Sequence, residues 1–262
     1  MNITLLLVDA LNLIRRVYAA QPGNNDYEHV EGAIRATRQS LQRALRETGP
    51  THALCVFDSK EKGWRYRMYA DYKAGRDPMP VALGDGLAEF EEAFSKCGVS
   101  SLTVTCEEAD DVIATLASKV AEHGGKTVIL STDKVFIQII NDFISLRDHF
   151  NDRDLDSKYV VKKFGVRPPQ FIDFLALAGD QTNNIPGVPS VGPKTASRLL
   201  REIGPLDDIL AVAHTIPGKV GTEIYGHKED ALLFRKLVSL RRDIAIGTNL
   251  KKFRYERQPD IS

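Results

Sequence analysis

Four apolar runs in this chain of 262 residues end in acid. Asp9 follows Leu5-Leu6-Leu7-Val8, Asp58 follows Val56-Phe57, Glu107 and Glu108 follow Val104-Thr105-Cys106, and Asp133 follows Leu130-Ser131-Thr132. Asp110 and Asp111 come directly after the third. If the runs are parallel strands, their carboxyl ends share the edge where open α/β sheets bind ligands, and folding itself gathers the acids in one cleft. Ionised carboxylates so close repel one another unless a cation intervenes. An all-oxygen donor set suits a hard divalent ion, Mg²⁺ first and Mn²⁺ second. The same acids also have an ordinary use: Glu108, Asp110 and Asp111 would lie in the first turn of a helix, accepting its free N–H groups and opposing the macrodipole.

Two further stretches suit phosphate. From Ser59 to Arg76, six basic residues (Lys60, Lys62, Arg65, Arg67, Lys73, Arg76) stand against Glu61 and Asp71, a local net of +4, interleaved with Trp64, Tyr66, Tyr69 and Tyr72. Cations follow phosphates and aromatic rings stack on unpaired bases, so this composition fits single-stranded nucleic acid. A solvated amphipathic helix would carry similar charges. In the second stretch, Ile185 to Ala196, Gly187 and Gly192 stand five apart before the small-residue helix start Pro193-Lys194-Thr195-Ala196. That pattern makes a hairpin whose backbone N–H groups point outward at a helix N-terminus, a phosphate site that needs no base contact. An ordinary helix-turn-helix corner would look similar.

The elements that must position these residues alternate. Apolar, β-branched runs at residues 3–8, 52–57, 101–105 and 127–130 are separated by helical patterns, among them Glu31 to Glu47 and Asp110 to Glu122. In the latter, Val112, Ile113, Leu116 and Val120 share one face. The alternation predicts an α/β fold with a mostly parallel central sheet covered by helices. Beyond about Val160 the strand signals vanish, and helices over Pro168 to Ala178 and about Lys194 to Ile203 flank the hairpin. Two regions are expected, an α/β domain over 1–160 with the basic arm at about 59–88, and a helical region over 161–262.

A formal net charge of zero argues against a uniformly basic nucleic-acid binder. The distribution answers this, because Glu107 to Asp111 carries −4 beside the +4 arm. Cys55, Cys97 and Cys106 are odd in number and lack CxxC spacing, which predicts free thiols in a reducing compartment, the cytoplasm. They have no visible partner His for nucleophilic chemistry. The apolar opening Ile3 to Val8 is too short for a signal or a membrane span.

Taken together, these stretches resemble the 5′-nuclease superfamily of flap endonucleases, phage 5′-exonucleases and the N-terminal domain of bacterial DNA polymerase I. The motifs are Leu7-Val8-Asp9 with Asn12 and Arg16, Val56-Phe57-Asp58, residues Tyr69 to Arg76 with Met79-Pro80, Glu108-Ala109-Asp110-Asp111, Ser131-Thr132-Asp133-Lys134, Phe174 to Asp180, and Gly187 to Ala196. The resemblance implies acid metal ligands at Asp9, Asp58, Glu108, Asp110, Asp111, Asp133 and Asp180. It implies that Tyr72, Lys73 and Arg76 lie on a helical arch at the scissile phosphate with Arg16 nearby. It implies a helix-three-turn-helix that holds DNA through Gly187, Gly192, Lys194 and Thr195, and K⁺ on carbonyls around Val188 and Val191. The implied activity is Mg²⁺-dependent hydrolysis of branched or 5′-tailed DNA by a monomer.

Two departures thin the second half of the implied metal cluster. Val135 stands where the family usually carries a second Asp after Asp133, and Asn183 where it carries one after Asp180. The combination, with no polymerase domain after Ser262, most resembles free-standing exonuclease IX-type flap endonucleases. Two other readings stay open: a DNA-structure binding protein of the same fold that has lost most catalysis, and a small ribonuclease, which the hairpin and basic arm disfavour.

Overall fold

Leu5 to Val8 and Ala53 to Phe57 are apolar at every position, the pattern of strands covered on both faces, and all are buried. In the computed structural model, which describes residues 3–22 and 27–256, they form the centre of a six-stranded sheet. Its strands are β1 (Thr4–Asp9), β2 (His52–Phe57), β3 (Ser100–Thr103), β4 (Lys126–Leu130), β5 (Ile144–Asp148) and β6 (Arg153–Asp154). The spatial order is β3-β2-β1-β4-β5-β6, parallel throughout except for the last pair. The chain moves outward from β1 to β2 and β3, then returns to β4 on the other side. Strand order therefore reverses between β1 and β4, and a crevice opens beyond the carboxyl ends at such a switch point.

Helices cover both faces. On one lie α1 (Ala10–Ala20), α2 (Tyr27–Thr48) and, after two short helices α3 (Trp64–Met68) and α4 (Val81–Asp85), α5 (Leu87–Lys96), packing Leu13, Val30, Phe90 and Phe94 against Leu6 and Val8. On the other, α6 (Ala109–Glu122) packs Val112 and Ile113 against Leu5 and Leu7. That core continues without a break through α7 (Ser157–Phe164), α8 (Phe171–Ala178), α9 (Pro193–Glu202), α10 (Leu206–Ala211), α11 (Gly218–Gly226) and α12 (Lys228–Val238). The helical region is thus welded to the sheet through shared apolar packing.

The third strand stops at Thr103, two residues earlier than the apolar run suggests. A turn with Cys106 at φ 62° and Glu107 N–H bonded to the Val104 carbonyl instead delivers Glu108 to the start of α6. β5 and β6 have no counterpart in the sequence-based expectation, because Ile144–Asp148 is short and alternates in burial, ending in Arg147 and Asp148. Cys55 and Cys97 are buried, Cys106 is half-buried, and all three are free. Among the described residues no helix is long and apolar enough to cross a membrane.

Candidate active site at the carboxyl edge of the sheet

Asp9 ends β1 and caps α1, accepting from the Asn12 N–H at 3.2 Å and from Ser131 Oγ at 2.8 Å. Asp58 follows β2 and accepts from the Ala109 N–H at 3.0 Å. Asp133 follows β4 and accepts from the Val135 N–H at 2.9 Å. With Asp110 these three line a cleft of about 790 Å³ that Arg16, Lys73 and Arg76 also line. Burial, then Asp58 and Asp133, push the Asp9 carboxyl up to about 7, against the lowering effect of its hydrogen bonds. Burial, Asp133 and Asp9 hold Asp110 well above the usual carboxylate range, and burial with Asp180 raises Asp133.

Acids that suppress one another's ionisation form an oxygen-only donor set whose repulsion a hard cation would relieve. The fit lies in donor chemistry and charge, since among the described residues no three His, Cys, Asp or Glu side chains are closed into a ready-made cage. Mg²⁺ at millimolar concentration should therefore raise the melting temperature, and Asp58→Asn should shrink that rise. Equal melting with and without Mg²⁺ would count against a cation site.

Glu108, at the start of α6, is held by cations of the chain itself. Arg65 NH1 reaches its Oε2 at 2.5 Å and Lys73 Nζ its Oε1. Burial opposes its charge, yet Lys73 and Arg65 overcome this and keep its carboxyl below the usual range. Asp111, expected as a metal ligand, is excluded from the cleft. Fully buried, it accepts from Arg65 NH1 and NH2 at 2.8 Å each, from Trp64 Nε1 at 2.9 Å and from the Arg241 N–H at 2.9 Å. Helical spacing explains the different placement: Asp110 and Asp111 lie about 100° apart around α6, so they face different ways.

The basic arm departs from expectation in three ways. It is helical only at α3 and α4, with turns from Ala70 to Gly75 between them, and Lys73 takes a left-handed φ of 57°. Lys73 and Arg76 are thus neighbours across a β-turn, the Arg76 N–H donating to the Lys73 carbonyl at 3.1 Å, not across a helical turn. The aromatics pack inward: Tyr66 meets Tyr72 edge-on, Tyr69 meets Phe234, and Trp64 bonds Asp111. Tyr72, expected at the scissile phosphate, is buried with its hydroxyl 3.3 Å from Glu108 Oε1 and its ring centre 5.0 Å from Lys73 Nζ, and so touches the site through those two residues. Arg65, counted among the phosphate-binding cations, is a buried brace that also donates to the Leu237 and Ser239 carbonyls.

Asn183 acts where the sequence showed only a missing acid. Its carbonyl accepts the Lys73 N–H at 3.0 Å, its Oδ1 accepts Arg76 NH2 at 2.8 Å, and its Nδ2 donates to Asp180 Oδ2 at 2.7 Å. It fastens the arm's turn to the helical region. Buried Asp180 pairs with Lys134 Nζ at 2.9 Å. Arg16 is exposed on α1 with its guanidinium 5.8 Å from the Phe150 ring centre. By sequence Ser131 has no role of its own, Arg65 reads only as a cation of the arm and Asn183 only as a missing acid; the contacts that define them here, to Asp9, Glu108 and Arg76, join residues 122, 43 and 107 positions apart.

The hairpin forms as its glycines require. Gly187 has φ 73° and lies so close to Gly179 that a methyl group would come within 2.4 Å of the Gly179 nitrogen. Gly192 precedes α9 with Pro193 at its first position, leaving Lys194 exposed and Thr195 half-buried. The Val191 N–H donates to the Val188 carbonyl at 3.1 Å.

A parallel sheet with acids at its switch point, joined to a helical hairpin region, defines a 5′-3′ exonuclease fold. The chain belongs to the 5′-3′ exonuclease family: residues 4–165 match its N-terminal resolvase-like domain and residues 166–260 its C-terminal SAM fold. In particular, it is 44% identical over 261 residues to flap endonuclease Xni of Aeromonas hydrophila, covering 98% of this chain and 97% of that one. Against flap endonuclease Xni of Aeromonas salmonicida the identity is 45%, with 98% of each chain covered. T5 5′-exonuclease with bound zinc has the same fold, at a TM-score of 0.74 and 22% identity over 90% of this chain and 89% of that one. So does the catalytic core of Rad2 with a DNA substrate, at a TM-score of 0.60 and 14% identity over 92% and 81%.

Proposed function

We propose that this protein is a structure-specific 5′-nuclease that hydrolyses DNA phosphodiesters where duplex meets a 5′ single strand, with Mg²⁺ as cofactor and Mn²⁺ able to replace it. What carries this is the cleft that Asp9, Asp58, Asp110 and Asp133 share with Lys73 and Arg76. Kinship to proteins named flap endonuclease adds the substrate class. Asp9, Asp58, Glu108 and Asp110 would hold a divalent ion, with Asp133 and Asp180 as a weaker second group. A bound ion supplies positive charge to the scissile phosphate and favours deprotonation of water. Lys73 and Arg76 add charge-assisted donors at the non-bridging oxygens, where negative charge grows during hydrolysis. Arg16, at the cleft's rim, suits a flanking phosphate.

The outward N–H groups before α9, with Gly187, Gly192, Lys194 and Thr195, take the duplex backbone without reading sequence. Carbonyls around Val188 and Val191 suit a K⁺ ion beside that phosphate. The three free thiols fit the cytoplasm. The chemistry requires no more than a monomer.

Incubation with a 5′-flap duplex should yield cleavage near the junction in Mg²⁺ and none in chelator. Preferential cleavage of an RNA flap would point instead to a ribonuclease. A second reading has its own support: Lys134 pairs with Asp180, and Val135 and Asn183 are uncharged, so the second acid group is thin. Tight flap binding without any Mg²⁺-dependent cleavage would establish that reading, a DNA-structure binding protein, over the enzyme.

A further inference from the structure

Two segments of the helical region carry cations and no acid. Residues 157–172 contain Lys158, Lys162, Lys163 and Arg167, and residues 184–201 contain Lys194, Arg198 and Arg201. The fold lays them side by side. α7 ends at Gly165, whose left-handed φ of 72° turns the chain, and a methyl group there would meet Ser197 Oγ of α9 at 3.2 Å. Ser197 is one turn from Lys194 and from Arg201, so the end of α7 abuts the charged flank of α9. On α9, Ala196, Leu199 and Leu200 are buried while Lys194, Arg198 and Arg201 are exposed. On α7, Val160 is buried, and Lys158 and Lys162 stand exposed on the opposite side.

These cations are not spent on carboxylates. Lys163 lies over the rings of Tyr159 and Phe164, at 5.3 and 5.4 Å, and donates to the Tyr159 hydroxyl at 2.8 Å. Among the described residues Arg201 alone of them contacts an acid, Glu202 at 3.7 Å, and both of these are exposed. Tyr159 is half-buried, with the Arg153 guanidinium also 5.0 Å from its ring, so the patch offers no open aromatic platform for unpaired bases. Dense positive charge without stacking surface fits the backbone of a duplex.

We propose that α7 and Arg167 continue the hairpin's phosphate contact along the duplex arm, so that the arm is gripped by α9 and α7 in succession. This rests on the hairpin being the duplex-binding element. The test uses the full chain and fluorescence anisotropy in chelator, on 5′-flap DNA with either a long duplex arm or one too short to pass the hairpin. The Lys162→Ala/Lys163→Ala double variant should lower the slope of log Kd against log salt by about two on the long arm and leave the short arm unchanged. The Lys162→Arg/Lys163→Arg variant should keep the original slope. Lys194→Ala serves as the reference, lowering the slope by about one on both arms. An unchanged long-arm slope in the double variant, with Lys194→Ala effective, overturns the extension and leaves the hairpin reading standing. Equal losses on both arms also overturn it, as a mere change of net charge. No effect from Lys194→Ala would instead remove the hairpin reading itself.

Discussion

Replacing Lys73 by alanine should slow cleavage of a saturating 5′-flap by roughly 30- to 1000-fold, about 2 to 4 kcal/mol in barrier, while Kd changes far less. The backbone explains why this lysine is pre-set. Its left-handed φ of 57° is uncommon for a residue with a side chain, and the conformation persists because the Lys73 N–H is bonded to the Asn183 carbonyl and the Arg76 N–H closes the turn behind it. The ammonium is mostly buried, and the Glu108 carboxylate beside it keeps it charged despite that burial. A cation held in place and shielded from water acts on developing charge without reorganising at the moment of reaction. Single-turnover rates at saturation, beside binding isotherms, separate the possibilities. If Lys73 only braces Glu108, its loss lowers the melting temperature and the rate at saturation stays nearly unchanged.

Arg65→Met should reduce folding stability by about 3 to 5 kcal/mol, read by urea unfolding as a lower midpoint at an unchanged m-value. Arg65 is buried and joins three distant parts of the chain: α3 at the base of the arm, Glu108 and Asp111 at the start of α6, and the carbonyls of Leu237 and Ser239 at the end of α12. Methionine keeps much of the volume and removes the charge, so buried Asp111 would lose its main compensating partner. Asp111→Asn separates the brace from a metal role. A structural Asp111 predicts the same loss of stability with and without Mg²⁺, whereas a ligand predicts that the Mg²⁺-dependent rise in melting temperature disappears.

Much of this protein is legible without coordinates, because several of its signals are local. Strands covered on both faces must be apolar throughout, so β1, β2 and β4 stand out as runs, and the acids that end them follow from where each run stops. The hairpin is equally local, since the backbone at Gly187 tolerates no side chain and Pro193 starts a helix. Spacing alone thus placed Asp9, Asp58, Glu108 and Asp133 at the carboxyl ends of strands or the start of a helix.

Only the tertiary structure decided which way the neighbouring residues turn and whom they meet. Asp110 and Asp111 are adjacent in sequence and alike in chemistry, but rotation about α6 sends one to the cleft and the other to a guanidinium 46 residues away. The arm's charges and rings predict a solvent-facing strip on composition, yet Arg65 and Tyr72 are drawn inward because α6 and the segment after α12 offer them partners. Asn183 looked like a lost ligand and is instead the knot between Lys73, Arg76 and Asp180. Periodicity determines which residues are apolar and where an element ends, since those depend on neighbours a few positions away. The site's pairings of buried charge join residues 35 to 46 positions apart, and no local pattern encodes them.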